Sequence, residues 1–214
     1  AFSVAGGDTA AALAAGCPVI VKGHSAHPGT SEIVAQAIDD SIKACNMHPG
    51  TVSVIQGGAR DVGQALVQHP LIKAVGFTGS LAGGKALFDF CAAREEPIPF
   101  FGELGSVNPM FLLPQAIANR GGDIASGWVG SLTMGAGQFC TNPGIAIVID
   151  GADAANFIND VTTLLSKVDS QMMLTDGISK AYRVGCERMS SFDAVGQLKN
   201  ASEISRTALP QLFV

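Results

Sequence analysis

Residues 73–90 read KAVGFTGSLAGGKALFDF. The first six, KAVGFT (73–78), form a short apolar run and predict a buried strand. Glycines follow at 79, 83 and 84, and the pattern then predicts a helix over 84–93. A strand that turns through glycines into a helix is the building unit of an α/β fold.

The same unit recurs on both sides. Upstream, 8–15 reads as a small-residue helix stopped at Gly16, and CPVIVKG (17–23) as a buried strand. After the loop HSAHPG, a helix starting near Thr30 carries apolar residues at 33, 34, 37, 38, 42 and 45. MHPG ends it, TVSVIQ (51–56) predicts a strand, GGARD a turn and 62–68 a short helix. Downstream, IPFFGEL and NPMFLLP predict strands, 122–134 a helix, GIAIVID (144–150) a strand and 154–167 an amphipathic helix. Past 170 no clear element is legible, and there is no internal repeat. Strands alternating with helices imply right-handed crossovers and a mostly parallel sheet. Ligands of such sheets bind past the carboxyl ends of the strands, so the loops at 22–29, 57–61 and 78–84 are the places to search.

Composition narrows the function. Of 214 residues, 47% are apolar and 14% charged, so most of the chain is expected inside a core or an extended interface. A net charge of −5 without a Lys/Arg cluster argues against nucleic acid or an anionic membrane surface as partner. No apolar run is long enough for a membrane span, and the N-terminus lacks the basic region of a signal peptide. The five cysteines are odd in number and widely spaced, without a C-x-x-C, so neither a disulfide framework nor a zinc site is indicated and a reducing cytoplasm fits. Residue 1 enters directly into a helical pattern and the chain stops on the apolar run ALPQLFV; a segment of a longer protein is expected.

Several residue groups carry chemistry. FTGSLAGGKA (77–86) approaches a P-loop through Gly79, Gly84 and Lys85, but Ala86 stands where Ser or Thr would hold Mg²⁺. A tight strand-to-helix turn without a ligand reads these glycines equally well. Lys22 closes the strand VIVK at the ligand edge, where it is placed for a ribose or phosphate or is simply solvated. His24, His27, His48 and His69 lack partners at metal-ligand spacing and read as loop or capping residues, so no metal is expected. Glu103, in PFFGELGSVNP, follows two phenylalanines. Partial desolvation there would push its carboxyl toward the range of a useful base; a strand-end carboxylate facing water is the plainer alternative. Glu95 and Glu96 read as solvated. Cys140 lies in GAGQFCTNPG (135–144), among glycines and polar residues, a turn that can present Sγ to a cleft beside backbone N–H groups. The other four cysteines read as structural. No G-x-S-x-G supports a serine hydrolase.

Taken together and in order, VIVKGHSAHPGTS, HPLIKAVGFTGSLAGG, GELGSVNP and GQFCTNPG resemble the aldehyde dehydrogenase superfamily. The resemblance covers the whole chain and is firm to about residue 150. It implies a Rossmann-like parallel-sheet NAD(P)-binding domain over 1–104, followed by part of an α/β catalytic domain over 105–214, each incomplete at one end. It implies Cys140 as nucleophile and Glu103 as general base. It implies Lys22, Ser25, Gly57, Arg60, Phe77, Thr78, Gly79, Ser80, Gly84 and Leu104 beside the dinucleotide. A small-molecule aldehyde substrate, a semialdehyde or a fatty aldehyde, a homodimer or homotetramer and a cytoplasmic location follow from the same likeness. The common family pattern E-L-G-G-K-x-P is replaced by Glu103-Leu104-Gly105-Ser106-Val107-Asn108-Pro109, and T-N-P follows the nucleophile. Both variants resemble the branch of NADP-dependent fatty aldehyde and α-ketoglutaric semialdehyde dehydrogenases. Many NAD-preferring members carry a glutamate where Ser25 stands; a serine, with Arg60 on the next loop, favours NADP, with NAD also expected. The family's oxyanion-binding asparagine and ribose-binding glutamate are expected outside residues 1–214, so the segment alone is expected to be inactive. A P-loop nucleotide hydrolase using Gly79–Lys85 and a non-catalytic scaffold remain as other classes.

Overall fold

The structure, a computed structural model, describes residues 4–58, 60–199 and 206–214. The chain divides into two compact units, one reaching to Gly105 and the other beginning at Ser106.

The first unit runs α1 (Gly7–Ala14), β1 (Val19–Lys22), α2 (Pro28–Ala44), β2 (Val52–Ile55), α3 (Arg60–Gln68), β3 (Val75–Gly79), α4 (Leu81–Ala92) and β4 (Phe100–Leu104). The expected strand–helix alternation is present throughout. Helix α2 starts two residues before Thr30, because Pro28 at its first turn supplies a fixed φ and has no N–H to leave unbonded. Helix α4 starts at Leu81 rather than 84, since the Ser80 hydroxyl accepts the Gly83 N–H at 3.2 Å and caps the end.

Strands pair in parallel as expected, but in two separate ladders among the described residues. β1 pairs β2 from Val19–Val52 to Lys22–Ile55, and β3 pairs β4 from Val75–Phe100 to Gly79–Leu104. Helix α1 touches both ladders: it packs on β1, and a Cβ added to Gly76 of β3 would lie 3.4 Å from the Asp8 Cβ. The Arg94 guanidinium anchors the end of α3, donating to the carbonyls of Val67, His69 (2.9 Å) and Ile72 (3.2 Å), and to Glu96 O (3.2 Å).

The second unit runs β5 (Pro109–Leu112), α5 (Pro114–Thr133), β6 (Ile145–Val148), α6 (Ala152–Leu165), β7 (Gln171–Met172), α7 (Asp176–Ser190), β8 (Gln197–Lys199), β9 (Thr207–Ala208) and β10 (Leu212–Phe213). The helix expected over 122–134 is the second half of α5. A non-helical residue, Arg120 (φ −147°, ψ 29°), joins it to an earlier turn. β5 pairs β6 in parallel, from Pro109–Ile145 to Leu112–Val148. Past 170 the described residues hold one further helix and two short antiparallel pairs, β7 with β9 and β8 with β10.

Leu112, Trp128, Phe157, Val161, Leu165 and Leu212 form the core of this unit, with Trp128 stacked on Phe157 at 5.8 Å. Burying each large apolar side chain contributes about 1.5–3 kcal/mol. α5 and α6 supply most of it through 117, 125, 128 and 129 on one helix and 154, 157, 161 and 165 on the other, helical spacing in both.

Two expectations are corrected. In α2 the residues turned inward are Ser31, Val34, Ile38 and Ile42, whereas Ile33, Ala37 and Cys45 are exposed. The inner stripe follows the i, i+3, i+7, i+11 line, and Ser31 occupies it despite its hydroxyl because Oγ reaches back to His27 O at 3.4 Å. The apolar runs read as buried strands are covered on one face only: in β1, Ile20 is exposed while Val21 is buried, and in β3, Gly76 and Thr78 are exposed while Val75 and Phe77 are partly covered. Side chains alternate across a strand, so a ladder covered on one face leaves every second one open. No helix among the described residues is long and apolar enough to cross a membrane.

Candidate active site

In the first unit, the residues expected at the cofactor gather at the carboxyl ends of the strands. Lys22 ends β1 and is half-buried; the Gly23 N–H beyond it donates to Ile55 O at 2.8 Å, keeping the two strand ends together. The loops that follow approach one another: a Cβ on Gly58 would lie 3.9 Å from the Ser25 Cβ. Gly57 sits so close to α3 that a Cβ would meet the Val62 Cγ2 at 2.8 Å. Arg60 opens α3 on the same edge and is exposed. Among the described residues, the Lys22 ammonium, Ser25 hydroxyl and Arg60 guanidinium have no hydrogen-bond or ion-pair partner. Three uncommitted donors on one strand edge form a donor set suited to a phosphorylated ribose.

The histidines behave as loop residues. Nδ1 of His24, His48 and His69 accepts a backbone N–H two residues on, from Ala26, Gly50 and Leu71. His27 occupies the cap position of α2, stacked on His24 at 5.0 Å, and makes no capping bond of its own. Burial, then the neighbouring His27 and Lys22, hold the His24 imidazole below the usual histidine range.

The turn after β3 is tight for packing reasons. A Cβ on Gly79 would lie 2.6 Å from the Phe77 ring, and one on Gly84 only 1.9 Å from Leu104 Cδ2. Lys85 lies one turn inside α4 and pairs with Asp89 at 2.9 and 3.0 Å. A P-loop lysine must project from the helix start toward phosphate; this one is turned along its own helix. That pairing, with Ala86 where a P-loop has Ser or Thr, counts against the P-loop alternative. Thr78 pairs with Glu103 across the ladder, and Gly105 N–H donates to Gly79 O at 3.1 Å, so Glu103 and Leu104 flank the glycine turn. Glu103 is exposed, which corrects the expectation of partial desolvation. Phe100 packs edge-on against Phe88, and Phe101 is itself exposed.

In the second unit, Cys140 is exposed at the tip of a β-turn, Phe139–Asn142, closed by Asn142 N–H donating to Phe139 O at 3.1 Å. Before the turn, Gly135, Ala136 and Gly137 all have positive φ (58°, 57° and 73°). This left-handed run reverses the chain out of α5. Side-chain amides hold it. Gln171 Oε1 accepts the Ala136 N–H at 2.7 Å, Gln138 bridges Gly135 O (2.8 Å) and Leu174 N–H (2.9 Å), and Asn142 Nδ2 donates to Leu132 O at 2.8 Å. The Trp128 indole donates to Pro143 O at 2.6 Å, and Asn108 Nδ2 donates to Cys140 O at 2.7 Å and Asn142 O at 3.0 Å. The Cys140 N–H has no acceptor among the described residues.

Sequence reasoning missed this ring of amides. Asn108, Gln138 and Asn142 all lie inside the motifs that drew attention to Glu103 and Cys140, so the signal was a density of Asn and Gln beside an unusual cysteine. The reading of the remaining cysteines needs correction too: Cys91 is buried, with burial raising its thiol above the ordinary range, but Cys17 and Cys45 are exposed at helix ends. Exposure alone therefore does not single out Cys140; its turn does.

The first unit thus carries an uncommitted donor set on one strand edge, and the second an exposed thiol on an amide-braced turn. The aldehyde dehydrogenase family's sequence profile matches residues 1–185, and the chain belongs to that family. It is 50% identical over 207 residues to alpha-ketoglutaric semialdehyde dehydrogenase 2 of Azospirillum brasilense, covering 97% of this chain and 39% of that protein. It is 44% identical over 216 residues to alpha-ketoglutaric semialdehyde dehydrogenase of Acinetobacter baylyi, covering 100% of this chain and 40% of that protein. Among solved structures, the glyceraldehyde-3-phosphate dehydrogenase GapN of Methanocaldococcus jannaschii, complexed with NADP, superposes with a TM-score of 0.80 at 20% identity, over 94% of this chain and 44% of that one. The chain thus spans about two fifths of the length of the curated relatives it matches.

Proposed function

We propose that this chain carries the nucleophile, the general base and part of the dinucleotide site of an aldehyde dehydrogenase that oxidises an aldehyde to a carboxylic acid. The observation that carries the reading is Cys140: an exposed thiol on a braced turn whose own N–H is unbonded. The Cys140 thiolate adds to the aldehyde carbon, and the Cys140 N–H stabilises the oxyanion that forms. A bound nicotinamide would supply the two-electron acceptor that conversion of this adduct to a thioester on Sγ requires. Glu103 takes a proton from water, the hydroxide attacks the thioester carbon, and the acid leaves as the Cys140 sulfur departs. Lys22, Ser25 and Arg60 hold the adenosine ribose and its phosphate. The Gly79–Ser80 turn, with Phe77, Thr78, Gly84 and Leu104 around it, sets how closely the dinucleotide approaches. Ser25, with Arg60 after the next strand, favours NADP over NAD.

The two alpha-ketoglutaric semialdehyde dehydrogenase relatives favour a short semialdehyde bearing a carboxylate over a fatty aldehyde. Assembly as a homodimer or homotetramer and a cytoplasmic location belong to the same proposal, as does the division into a cofactor domain and a catalytic domain near residue 105.

The test is rapid-mixing kinetics on the full-length protein with α-ketoglutaric semialdehyde and NADP⁺. Glu103→Gln should give one equivalent of reduced nicotinamide per site and then stall, because the thioester is no longer hydrolysed. Cys140→Ala should give none while still binding the dinucleotide. Sustained turnover by Cys140→Ala would end the reading. Site-resolved alkylation separates an inert scaffold: Cys140 should react faster than Cys17 and Cys45, and Cys91 slowest.

A further inference from the structure

Asn108 combines two unusual features. It precedes Pro109, a position normally pushed to extended backbone, yet its φ is +46°. Its single amide nitrogen also spans two carbonyls of the nucleophile turn, Cys140 O at 2.7 Å and Asn142 O at 3.0 Å, across more than thirty residues of chain. Both partners are acceptors, so the amide must present its two hydrogens, one to each; its oxygen in that place would face two carbonyl oxygens.

The consequence for Cys140 is geometric. A trans peptide points its N–H opposite its C=O. Phe139 O is drawn inward by Asn142 N–H, so the Cys140 N–H of the same peptide points out of the turn. Asn108 fixes the next peptide through Cys140 O. With the peptides on both sides of the Cys140 Cα held, the Cα–Cβ direction is held as well. The exposed thiol and the unbonded N–H are then carried on one fixed Cα, as attack with simultaneous oxyanion stabilisation requires. Without the amide, the Cys140 carbonyl would have no hydrogen-bond partner among the described residues.

We infer that Asn108 is a positioning residue that sets the aim of the Cys140 thiol and its N–H; this rests on the nucleophile reading above. A left-handed backbone suits Asn, and Gly better still. Asn108→Gly therefore removes the amide without straining φ, and Asn108→Asp keeps the shape without donors.

Both variants are made in the full-length protein, beside Cys140→Ala, and read by the burst of reduced nicotinamide with α-ketoglutaric semialdehyde and NADP⁺. The burst rate and kcat should fall about 10²-fold, the scale expected for misplacing a reacting group by about 1 Å. NADP⁺ affinity and the thermal midpoint should stay close to those of the unaltered protein. A burst rate within threefold of the unaltered protein in either variant overturns the inference. So does loss of fold or of NADP⁺ binding in both, which would make Asn108 simply structural. If Cys140→Ala itself turns over, the nucleophile reading falls and the role of Asn108 with it. An inactive Cys140→Ala beside an unimpaired Asn108→Gly removes only the inference.

Discussion

Two helical glycines, Gly63 and Gly84, should respond in opposite directions to one added methyl group. Gly63 lies inside α3 with nothing within 4 Å of the position a Cβ would take. Gly63→Ala removes backbone freedom from the unfolded chain and should stabilise by about 0.5–1 kcal/mol. Gly84 lies in the first turn of α4, where the added Cβ would be 1.9 Å from Leu104 Cδ2 and 3.0 Å from its Cγ and Cδ1. Ordinary carbon contacts are about 3.5–4 Å, so the Leu104 methyl would have to withdraw by about 1.6–2 Å. The strand cannot yield easily, because Leu104 is in register with Gly79 and the Gly105 N–H is bonded to Gly79 O. Overpacking of this kind costs about 1–3 kcal/mol, against about 1 kcal/mol regained in helix propensity. The two variants should then differ by roughly 1–3 kcal/mol. With a urea slope of about 2 kcal/mol/M, their midpoints should separate by about 0.5–1.5 M. Gly84→Ala should also weaken dinucleotide binding, because α4 and the glycine turn move together. A Gly84→Ala midpoint raised as much as that of Gly63→Ala would refute the close approach of α4 to β4.

Arg94→Ala should lower stability by about 2 kcal/mol in urea denaturation, because four carbonyl partners lose a charged donor; Arg94→Lys, with one ammonium in place of a fork, should recover only part of it. The His24 imidazole, held below its ordinary range chiefly by burial, takes up a proton more readily in the unfolded chain. Its contribution to stability is therefore complete above about pH 6.5 and declines as pH falls below that value. The difference in thermal midpoint between pH 8 and pH 5.5 should shrink in His24→Gln, and an unchanged difference would exclude His24 as its source.

Much of the fold is legible in local pattern. Gly16 and MHPG punctuate the first unit at their expected places, whereas α3 starts at Arg60, inside the stretch read as a turn; the strands at 19–22, 52–55 and 145–148 fall within the runs read for them, and the one at 75–79 ends one residue beyond its run. Helix starts are less legible. Pro28 and Ser80 open their helices two and three residues early through capping chemistry that an apolar stripe does not register. The helix at 176–190 is not legible as an apolar stripe because its inward line, Ser179, Tyr182, Arg183 and Cys186, is largely polar.

The sequence by itself determined the alternation of strands and helices, the glycine turn after β3 and the singular setting of Cys140. These depend on side-chain period, backbone freedom and residue type within a dozen residues. Only the tertiary structure decided that the strands pair in separate parallel ladders, that Lys85 turns to Asp89 instead of toward a phosphate, that Glu103 stands in water, and that Cys91 alone among the cysteines is buried. It also decided that Asn108 reaches the carbonyl of Cys140. Exposure depends on what every other segment covers, and a hydrogen bond between residues 32 apart depends on where two loops meet. No local pattern encodes either.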